Sequence, residues 1–528
     1  YNAAHANLTG ANNPPISSSW SGPTVATFYT SIPALRVTEL MYHPADRTDG
    51  RDLEFVEIFN SDSIDADVGG FELTGEASYA IPDGTVIPGG GFLVIARVPA
   101  DMEAVYGLDG VRGPYDKNLP NSTAVVQLRN TQGALLLETE YDDEDPWPVA
   151  ADGMGPSLVL ARASYGEGDP KAWAASCSAD GSPGAADPVL IAPYDAVRIN
   201  EIVAHTDPPQ YDYIELYNHS TSALDLAGCV LTDDPATNKY VMPGGTTIGA
   251  RGFRVFTSNV LGFALSQYGE TVCLKSPGGA RVIDAVLFGG TENGASLGRY
   301  PDGAPGFHEL LARTEGTNNT QTTLRIRDIV INEIMYHPIS ESDEDEYIEL
   351  YNRGSSNVNL GGWQFTKGVE YTFPTSAIVG PGGYIVVAKN VTNLISRYPQ
   401  LSTTNTFGNY SGKLANSSDR LVLAKLDDPS DPEGEAWVVV DEVMYGEGND
   451  WGRWTAGDGS SLALVDSGAD NRLAANWAGS IETNKGAWTT ISSTGMVDNG
   501  SGSADELHVL LLNGGECLVD NVEVVQSG

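Results

Sequence analysis

Val330-Ile-Asn-Glu-Ile-Met-Tyr-His-Pro338 is one of three copies of a pattern that also reads Arg36-Val-Thr-Glu-Leu-Met-Tyr-His-Pro44 and Arg198-Ile-Asn-Glu-Ile-Val-Ala-His-Thr206. After an acidic loop, each copy continues with a second apolar run: Phe55-Val-Glu-Ile-Phe-Asn60, Tyr213-Ile-Glu-Leu-Tyr-Asn218 or Tyr347-Ile-Glu-Leu-Tyr-Asn352. Short runs rich in Ile, Val and Tyr, bounded by turn residues, predict β-strands. The chain therefore contains an internal repeat that opens on two strands.

The spacing beyond these strands repeats as well. A glycine follows the second strand's glutamate by thirteen positions in every copy, within Gly69-Gly-Phe71, Ala227-Gly-Cys229 and Gly361-Gly-Trp363. Each copy later reaches a Ser-Leu step, at Ser157, Ser296 or Ser461. Regularly spaced short strands separated by Gly, Pro and Asn turns are typical of a β-sandwich. Two short helices are predicted in the loops, at Pro99–Gly107 and Asn390–Tyr398.

With these motifs in this order, the chain resembles the bacterial lamin-tail domain, over roughly residues 34–490. The second copy matches more weakly, because it lacks the Tyr-His-Pro and the aromatic residue after Ala-Gly. The resemblance implies an all-β chain of three tandem immunoglobulin-like β-sandwiches with partial β segments at both ends. We place module 1 at residues 34–193, module 2 at 194–322 and module 3 at 323–489. The family implies a binding or spacer module of exported bacterial proteins and supplies no catalytic residues.

Composition limits the classes of function. The 528 residues carry a net charge of −41, which repels phosphate backbones and argues against nucleic-acid binding. No stretch of about 18 apolar residues is present, so we expect no membrane insertion. The sequence starts at Tyr1 without an initiator Met, which suggests a mature or trimmed product. An extracellular or cell-surface location fits these features.

The two ends differ from the modules. Residues 1–33 resemble the last strand of a fibronectin-type-III or chitobiase-associated domain, as an N-terminal β extension or the end of a preceding domain. Residues 490–528 resemble a strand pair from a partial jelly-roll-like domain. Neither segment is long enough to bury a core by itself. The ends therefore either belong to a longer polypeptide or are completed by other chains, which predicts self-association.

Two repeated residue types could carry chemistry. Glu39, Glu201 and Glu333 lie in the first strands, and Glu57, Glu215 and Glu349 lie in the second. The repeat predicts that these glutamates occupy equivalent places in the three modules and, if the two strands pair, that the two carboxylates of a module lie close together. Nearby carboxylates suit general acid/base catalysis, but no nucleophile or histidine partner repeats with them. We therefore predict that these glutamates bond loop backbone amides. His43, His205 and His337 each follow the first-strand glutamate by four positions. Residues four apart on a strand are about 13 Å apart, too far to bind one metal ion together. We therefore expect these histidines to bond turn carbonyls.

The acidic loop of module 3 is a candidate calcium site. Glu341, Asp343, Asp345 and Glu346 lie close together in sequence, and calcium takes six to eight oxygen ligands. The run Asp142–Asp145 has the same character. A solvated acidic loop is the alternative, since neither stretch has the spacing of an EF-hand.

Two cysteines of module 2 occupy positions that are apolar elsewhere. Cys229 replaces Phe71 and Trp363, and Cys273 aligns with Val125 or Val126 of module 1. A joint change of this kind suggests a Cys229–Cys273 disulfide across the sandwich. Two free buried thiols are the alternative. Cys177 and Cys517 have no evident partner within a module.

These observations favour a non-enzymatic extracellular structural or adhesive protein, as a subunit or segment of a surface fibre. The alternative is a glycan- or calcium-binding accessory region of a larger exported enzyme. Partners are then other copies of the chain, neighbouring domains of a larger surface protein, or glycans.

Overall fold

A computed structural model describes residues 34–163, 166–188, 193–279, 281–427, 436–447, 451–452, 455–457 and 459–480. The described residues fall into two compact units. One contains Arg327–Lys425 and the described residues from Val439 onward, and the other contains the described residues from 34 to 326 and those of Leu426–Val438. Both segments that were predicted to complete neighbouring chains, 1–33 and 490–528, lie outside the described residues.

Module 1 is a two-sheet sandwich. Its strands are β1 Leu35–Met41, β2 Phe55–Asn60, β3 Ala66–Asp67, β4 Glu72–Gly75, β5 Tyr79–Ala80, β6 Val86–Ile87, β7 Phe92–Ala96, β8 Ala124–Arg129, β9 Leu135–Tyr141, β10 Leu158–Leu160 and β11 Trp173–Ala175, and its helix is α1 Pro99–Tyr106. One sheet has the order β11-β10-β1-β2-β7 and the other β5-β4-β8-β9, with β3 and β6 forming a small pair. The inward residues of both sheets form one core around Val56, Ile58, Leu73 and Leu128.

Module 2 repeats this plan. Its strands are β12 Val197–Val203, β13 Tyr213–Asn218, β14 Leu224–Asp225, β15 Val230–Thr232, β16 Tyr240–Val241, β17 Thr247–Ile248, β18 Phe253–Thr257, β19 Gly269–Lys275, β20 Val282–Gly289, β21 Ser296–Arg299 and β22 Phe307–Leu310, and its helix is α2 Ser258–Leu261. The sheets run β18-β13-β12-β21-β22 and β16-β15-β19-β20, with β14 paired to β17.

Module 3 is the third copy. Its strands are β23 Ile329–Met335, β24 Tyr347–Asn352, β25 Val358–Asn359, β26 Gln364–Lys367, β27 Val369–Thr372, β28 Ile378–Val379, β29 Tyr384–Ala388, β30 Thr406–Gly408, β31 Ser411–Gly412, β32 Asp419–Leu426, β33 Trp437–Tyr445, β34 Leu462–Leu464 and β35 Trp477–Gly479, and its helix is α3 Val391–Arg397. The sheets run β30-β29-β24-β23-β34-β35 and β31-β27-β26-β32-β33.

The repeated strands are placed by alternation of their side chains. In β2, Val56 and Ile58 face the sandwich core, so Glu57 between them faces the outer side of the sheet. The same alternation puts Glu215 and Glu349 on the outer faces of β13 and β24, between the core residues Ile214, Leu216, Ile348 and Leu350. The predicted all-β fold of tandem sandwiches is confirmed.

The repeated glycine has a local reason. Gly70, Gly228 and Gly362 have φ angles of +76°, +81° and +84°, a region that favours glycine because it has no Cβ. In each copy the residue after this glycine donates its backbone N–H to the carbonyl three residues earlier, as from Phe71 to Val68 O at 3.1 Å. The tight turn therefore fixes the entry into β4, β15 and β26.

Candidate functional site: a repeated pair of buried glutamates

The repeated glutamates of each module face each other across its first two strands. The register pairs Glu39 with Glu57, Glu201 with Glu215, and Glu333 with Glu349. In all three modules the register shifts just before the first glutamate, as at a β-bulge. The prediction that the glutamates occupy equivalent places is confirmed.

The residue at the bulge supplies a hydrogen bond to the second glutamate of the pair. The donors and acceptors are Thr38 Oγ1 to Glu57 Oε1 at 2.7 Å, Asn200 Nδ2 to Glu215 Oε1 at 3.3 Å, and Asn332 Nδ2 to Glu349 Oε1 at 2.9 Å. A bulge leaves one residue out of the ladder and turns its side chain. This turn places a polar donor beside the carboxylate pair in every module.

In module 1 the segment after the last strand closes over the pair. The backbone N–H of Ser182 donates to Glu39 Oε1 at 2.7 Å, and that of Gly184 donates to Glu57 Oε2 at 2.7 Å. The Ser182 hydroxyl reaches Glu39 Oε2 at 3.0 Å, and the Ser157 hydroxyl also bonds Glu39. Both carboxylates are almost completely buried beneath this segment.

Module 2 has the same arrangement with different residues. The N–H of Thr314 donates to Glu201 Oε1 at 3.0 Å, and that of Gly316 donates to Glu215 Oε2 at 2.6 Å. The Tyr213 hydroxyl adds a bond to Glu201 Oε1 at 2.8 Å. Two amides that lie two residues apart therefore reach one glutamate each in both modules. The prediction that the glutamates bond loop amides is confirmed for modules 1 and 2.

In module 3 the described donors are side chains. The hydroxyl of Tyr347 donates to Glu333 Oε1 at 2.6 Å, and the hydroxyl of Ser461 bonds the same oxygen. The segment that would correspond to Ser182–Gly184 lies beyond residue 480, outside the described residues.

Burial changes the acidity of the pairs. Desolvation, followed by the charge of Glu39, raises the pKa of Glu57 to about 8. Desolvation raises the pKa of Glu39 to about 7, with a smaller contribution from Asp187. Desolvation and the partner glutamate raise the pKa of Glu215 to about 8 and that of Glu349 to about 7. Among the described residues, none of the six glutamates forms an ion pair with Lys, Arg or His.

A second buried glutamate in modules 1 and 3 was not predicted as a shared feature. Glu54 accepts from the Leu119 N–H at 2.6 Å, and Glu346 accepts from the Leu414 N–H at 3.0 Å and the Tyr410 hydroxyl at 2.8 Å. Both residues immediately precede the second opening strand. Burial raises the pKa of Glu54 to about 7 and also raises that of Glu346. Their common position before the aromatic residue was the available sequence signal.

The three equivalent histidines share a backbone contact. The carbonyls of His43, His205 and His337 accept the N–H of Gly153, Gly294 and Gly457, respectively, at 3.0, 2.8 and 3.2 Å. The predicted bond from a ring nitrogen to a turn carbonyl occurs at His205, whose Nδ1 is 3.0 Å from Thr291 O. It is wrong for the other two, since His43 Nδ1 contacts Asp152 and His337 Nε2 lies 3.4 Å from Glu341.

The four carboxylates of the proposed calcium loop have separate partners. Asp345 binds Arg397 at 2.7 Å, Asp343 lies 3.7 Å from Lys413, and Glu341 is largely exposed beside His337. Glu346 turns inward to Tyr410 and Leu414. The described residues contain no group of three or more His, Cys, Asp or Glu side chains arranged to hold a metal. Calcium binding at this loop stays a prediction. It would require Asp343 to leave Lys413 and Asp345 to leave Arg397, so that both carboxylates bind the ion instead.

The predicted disulfide between Cys229 and Cys273 is wrong, because the two side chains lie on opposite faces of their sheet. Both cysteines are free and buried. Cys229 lies in the module 2 core together with Val272 and Leu274, so Cys273 between those two residues points away from the core. Its thiol instead lies 3.5 Å from the Met154 sulfur of module 1. The register aligns Cys273 with Gln127 rather than with Val125 or Val126, because Leu274 opposes Leu231 as Leu128 opposes Leu73.

Three sandwiches with the same central strand order, the same bulge and the same carboxylate pair define a tandem immunoglobulin-like β-protein. The chain belongs to the lamin tail domain family, whose model matches residues 30–143, 192–290 and 323–447, together more than half of the chain. No curated protein matches the chain significantly. The chain is similar to a solved structure of a DUF4876 family protein from Bacteroides thetaiotaomicron at 12% identity, with 48% of this chain and 78% of that chain covered. The TM-score of 0.18 is too low for that likeness to carry an argument.

None of the helices in the described residues has the length and apolar character that crossing a bilayer requires.

Proposed function

We propose that the chain is a non-enzymatic extracellular structural or adhesive protein in which the three sandwiches are spacer modules. The observation that carries this proposal is how the repeated carboxylates are used. In modules 1 and 2 each glutamate of the pair accepts a backbone N–H from the segment that covers it. A carboxylate that acts on a substrate must be able to reach it, whereas these oxygens are buried and already bonded.

The net charge of −41 supports a protein that stays dispersed and well solvated outside the cell. The absence of a Cys229–Cys273 bridge does not argue against export, because each sandwich has its own large apolar core. Stability of the modules therefore does not depend on an oxidising compartment.

The spacer role is tested by pulling the full chain between its ends in a force spectrometer. We expect separate unfolding events, each releasing roughly 45–60 nm of chain, since an extended residue spans about 3.3–3.6 Å. Unfolding in one step at low force would contradict independent spacer modules. Protease treatment of intact cells of the source organism, followed by immunoblotting, tests the location; full protection from protease would contradict surface display.

Glycan binding is the second candidate, and an aromatic pair favours it. Tyr384 is 50% exposed, and its ring lies 4.7 Å from that of Tyr351. Equivalent pairs occur at Phe59–Phe92 and Tyr217–Phe253. An exposed aromatic ring held in place by a neighbouring ring can pack against the apolar face of a sugar. A glycan array with wild type and Tyr384→Ala tests this: specific binding that the substitution abolishes would favour an accessory binding region over a spacer.

A further inference from the structure

The carboxylate pairs of modules 1 and 2 have a feature that the spacer role does not explain. Two acidic side chains lie directly opposite each other on paired strands, where like charges destabilise the pairing. Water is largely excluded, and no described cation forms an ion pair with either carboxylate. The repulsion is relieved when one member of the pair keeps a proton, and burial raises the pKa of Glu57 and of Glu215 to about 8.

The covering segment is bound through both members of the pair. Ser182 and Gly184 each donate a backbone N–H in module 1, and Thr314 and Gly316 do so in module 2. Pro183 separates the two donors in module 1 and has no N–H of its own. The segment is therefore held to the sheet at two points that both depend on the arrangement of the pair.

We propose that each pair of glutamates is a proton-dependent latch that holds the module's C-terminal segment on the sheet while Glu57 or Glu215 keeps a proton and releases the segment as that proton is lost. This inference goes beyond the spacer role and does not depend on it. Release would uncover the outer face of the β1–β2 or β12–β13 strands. In module 1 it would also separate the segment from α1, whose Tyr106 hydroxyl donates to Asp180 O.

The charged groups around the glutamate pairs favour the protonated, closed state. The other titratable or charged groups that face the pairs are Asp187, Asp180, Tyr106 and Arg47 in module 1 and Tyr213, Asp302 and Glu315 in module 2. Arg47 is engaged by Asp49 at 2.8 Å and lies 3.9 Å from Asp180, so it does not neutralise the glutamates. The remaining neighbours are acidic or neutral, which favours retention of the proton.

The direction of the effect follows from linkage. The closed latch holds a proton on Glu57 or Glu215 up to a raised pKa of about 8, and module 1 holds a second proton on Glu39 up to a pKa of about 7. The open segment leaves the glutamates near their ordinary pKa, so opening releases that proton. The latch is most stable below the ordinary pKa and weakens as pH rises toward the raised values.

Hydrogen exchange of the full chain measures this opening directly. We expect the protection factors of Ser182, Gly184, Thr314 and Gly316, corrected for the intrinsic rate, to fall about tenfold per pH unit between about pH 5.5 and 8. Glu57→Gln keeps an oxygen that accepts from the Gly184 N–H and carries no ionisable proton, so it stands in for protonated Glu57. It should clearly reduce the pH dependence of the protection of Ser182 and Gly184, leaving only the contribution of Glu39, while module 2 still responds.

Glu215→Gln gives the reciprocal result in module 2, and Glu103→Gln, on the exposed side of α1, is the matched control that should change neither profile. Constant wild-type protection over this range would overturn the proposal. So would an equal pH dependence in wild type and in the glutamine variant of the same module. If one variant fails to fold, the other module supplies the same comparison, and the wild-type profile decides if both fail.

Discussion

Asn60, Asn218 and Asn352 end the second strand of each module and hold two backbone carbonyls with one side-chain amide. The Nδ2 of Asn352 donates to Ser356 O at 2.8 Å and to Val379 O at 3.0 Å, and Asn60 and Asn218 make equivalent bonds. All three side chains are fully buried. These asparagines tie β2, β13 and β24 to the loops that follow, which explains why the repeated motif ends on this residue.

Asn352→Ala should destabilise module 3 by about 2–4 kcal/mol, because two carbonyls lose their donor and each unsatisfied buried group costs about 1–3 kcal/mol. Urea denaturation measures the change. The exposed Asn357→Ala in the following loop is the matched control and should stay within about 0.5 kcal/mol of wild type. Equal effects of the two substitutions would show that the buried amide bonds are not what stabilises this turn.

The free thiols of Cys229 and Cys273 make a second residue-scale prediction. In a Cys177→Ser/Cys517→Ser background, a reductant should leave the melting temperature unchanged, and a thiol reagent should label both cysteines only after unfolding. A bridge between Cys229 and Cys273 would close a loop of about 45 residues and would contribute about 4 kcal/mol to stability. A clear drop in melting temperature on reduction would therefore restore the disulfide hypothesis.

At the scale of elements, the sequence predicted the features that a local pattern of residues determines. The opening strands, the turn glycines and the helices near Pro99–Tyr106 and Val391–Arg397 were all visible in the residues. The face of Cys273 was not, because a shift of one residue in the alignment moves a strand side chain to the other side of its sheet. The closeness of the glutamates was predicted, but their amide donors Ser182 and Gly184 lie 143 and 127 residues away from them and carry no local signal.

Glu54, the buried glutamate that directly precedes β2, predicts that the stability of module 1 depends on pH. Burial raises the pKa of Glu54 from 4.5 to about 7, so the folded state binds a proton more tightly than the unfolded chain. Stability is then greatest below about pH 4.5 and falls as pH rises to about 7. Glu54→Gln keeps an acceptor for the Leu119 N–H and should reduce this slope by up to about 1.4 kcal/mol per pH unit. Urea unfolding between pH 4.5 and 7.5 checks it, and an unchanged slope would contradict it.

The acidic loop of module 3 makes the calcium hypothesis testable at the same scale. If the loop binds calcium with a dissociation constant near 1 mM, then 10 mM calcium should stabilise module 3 by about 1.4 kcal/mol relative to chelator. The double variant Glu341→Gln/Asp343→Asn should lose this response. Melting curves with calcium and with EDTA make the comparison, and identical wild-type curves would leave a solvated loop held by Arg397 and Lys413.

For the whole molecule, the three modules keep one architecture while changing its details. Module 2 has a free cysteine where the others have Phe71 and Trp363, and its helix α2 spans only Ser258–Leu261. The carboxylate pair and the terminal asparagine are nevertheless present in all three. The modules therefore keep these two features while the core residue after the turn glycine and the length of the loop helix vary.

Assembly of the whole chain is the remaining prediction, and charge determines its conditions. The segments 1–33 and 490–528, whose sequences predict strands, are proposed to dock on neighbouring copies, because an unpaired strand edge is a template for another chain. A contact between the end of one copy and a different surface of the next does not close, so it generates a fibre.

The net charge of −41 opposes this contact at low ionic strength. Raising the salt from about 0.01 to 0.15 M shortens the Debye length from about 30 to 8 Å and should promote association. Sedimentation velocity and electron microscopy across this range should show growing assemblies, and hydrogen exchange should show protection gained in both terminal segments. Monomers at every salt concentration, or protection gained only within the modules, would leave a segment of a larger surface protein rather than a fibre subunit.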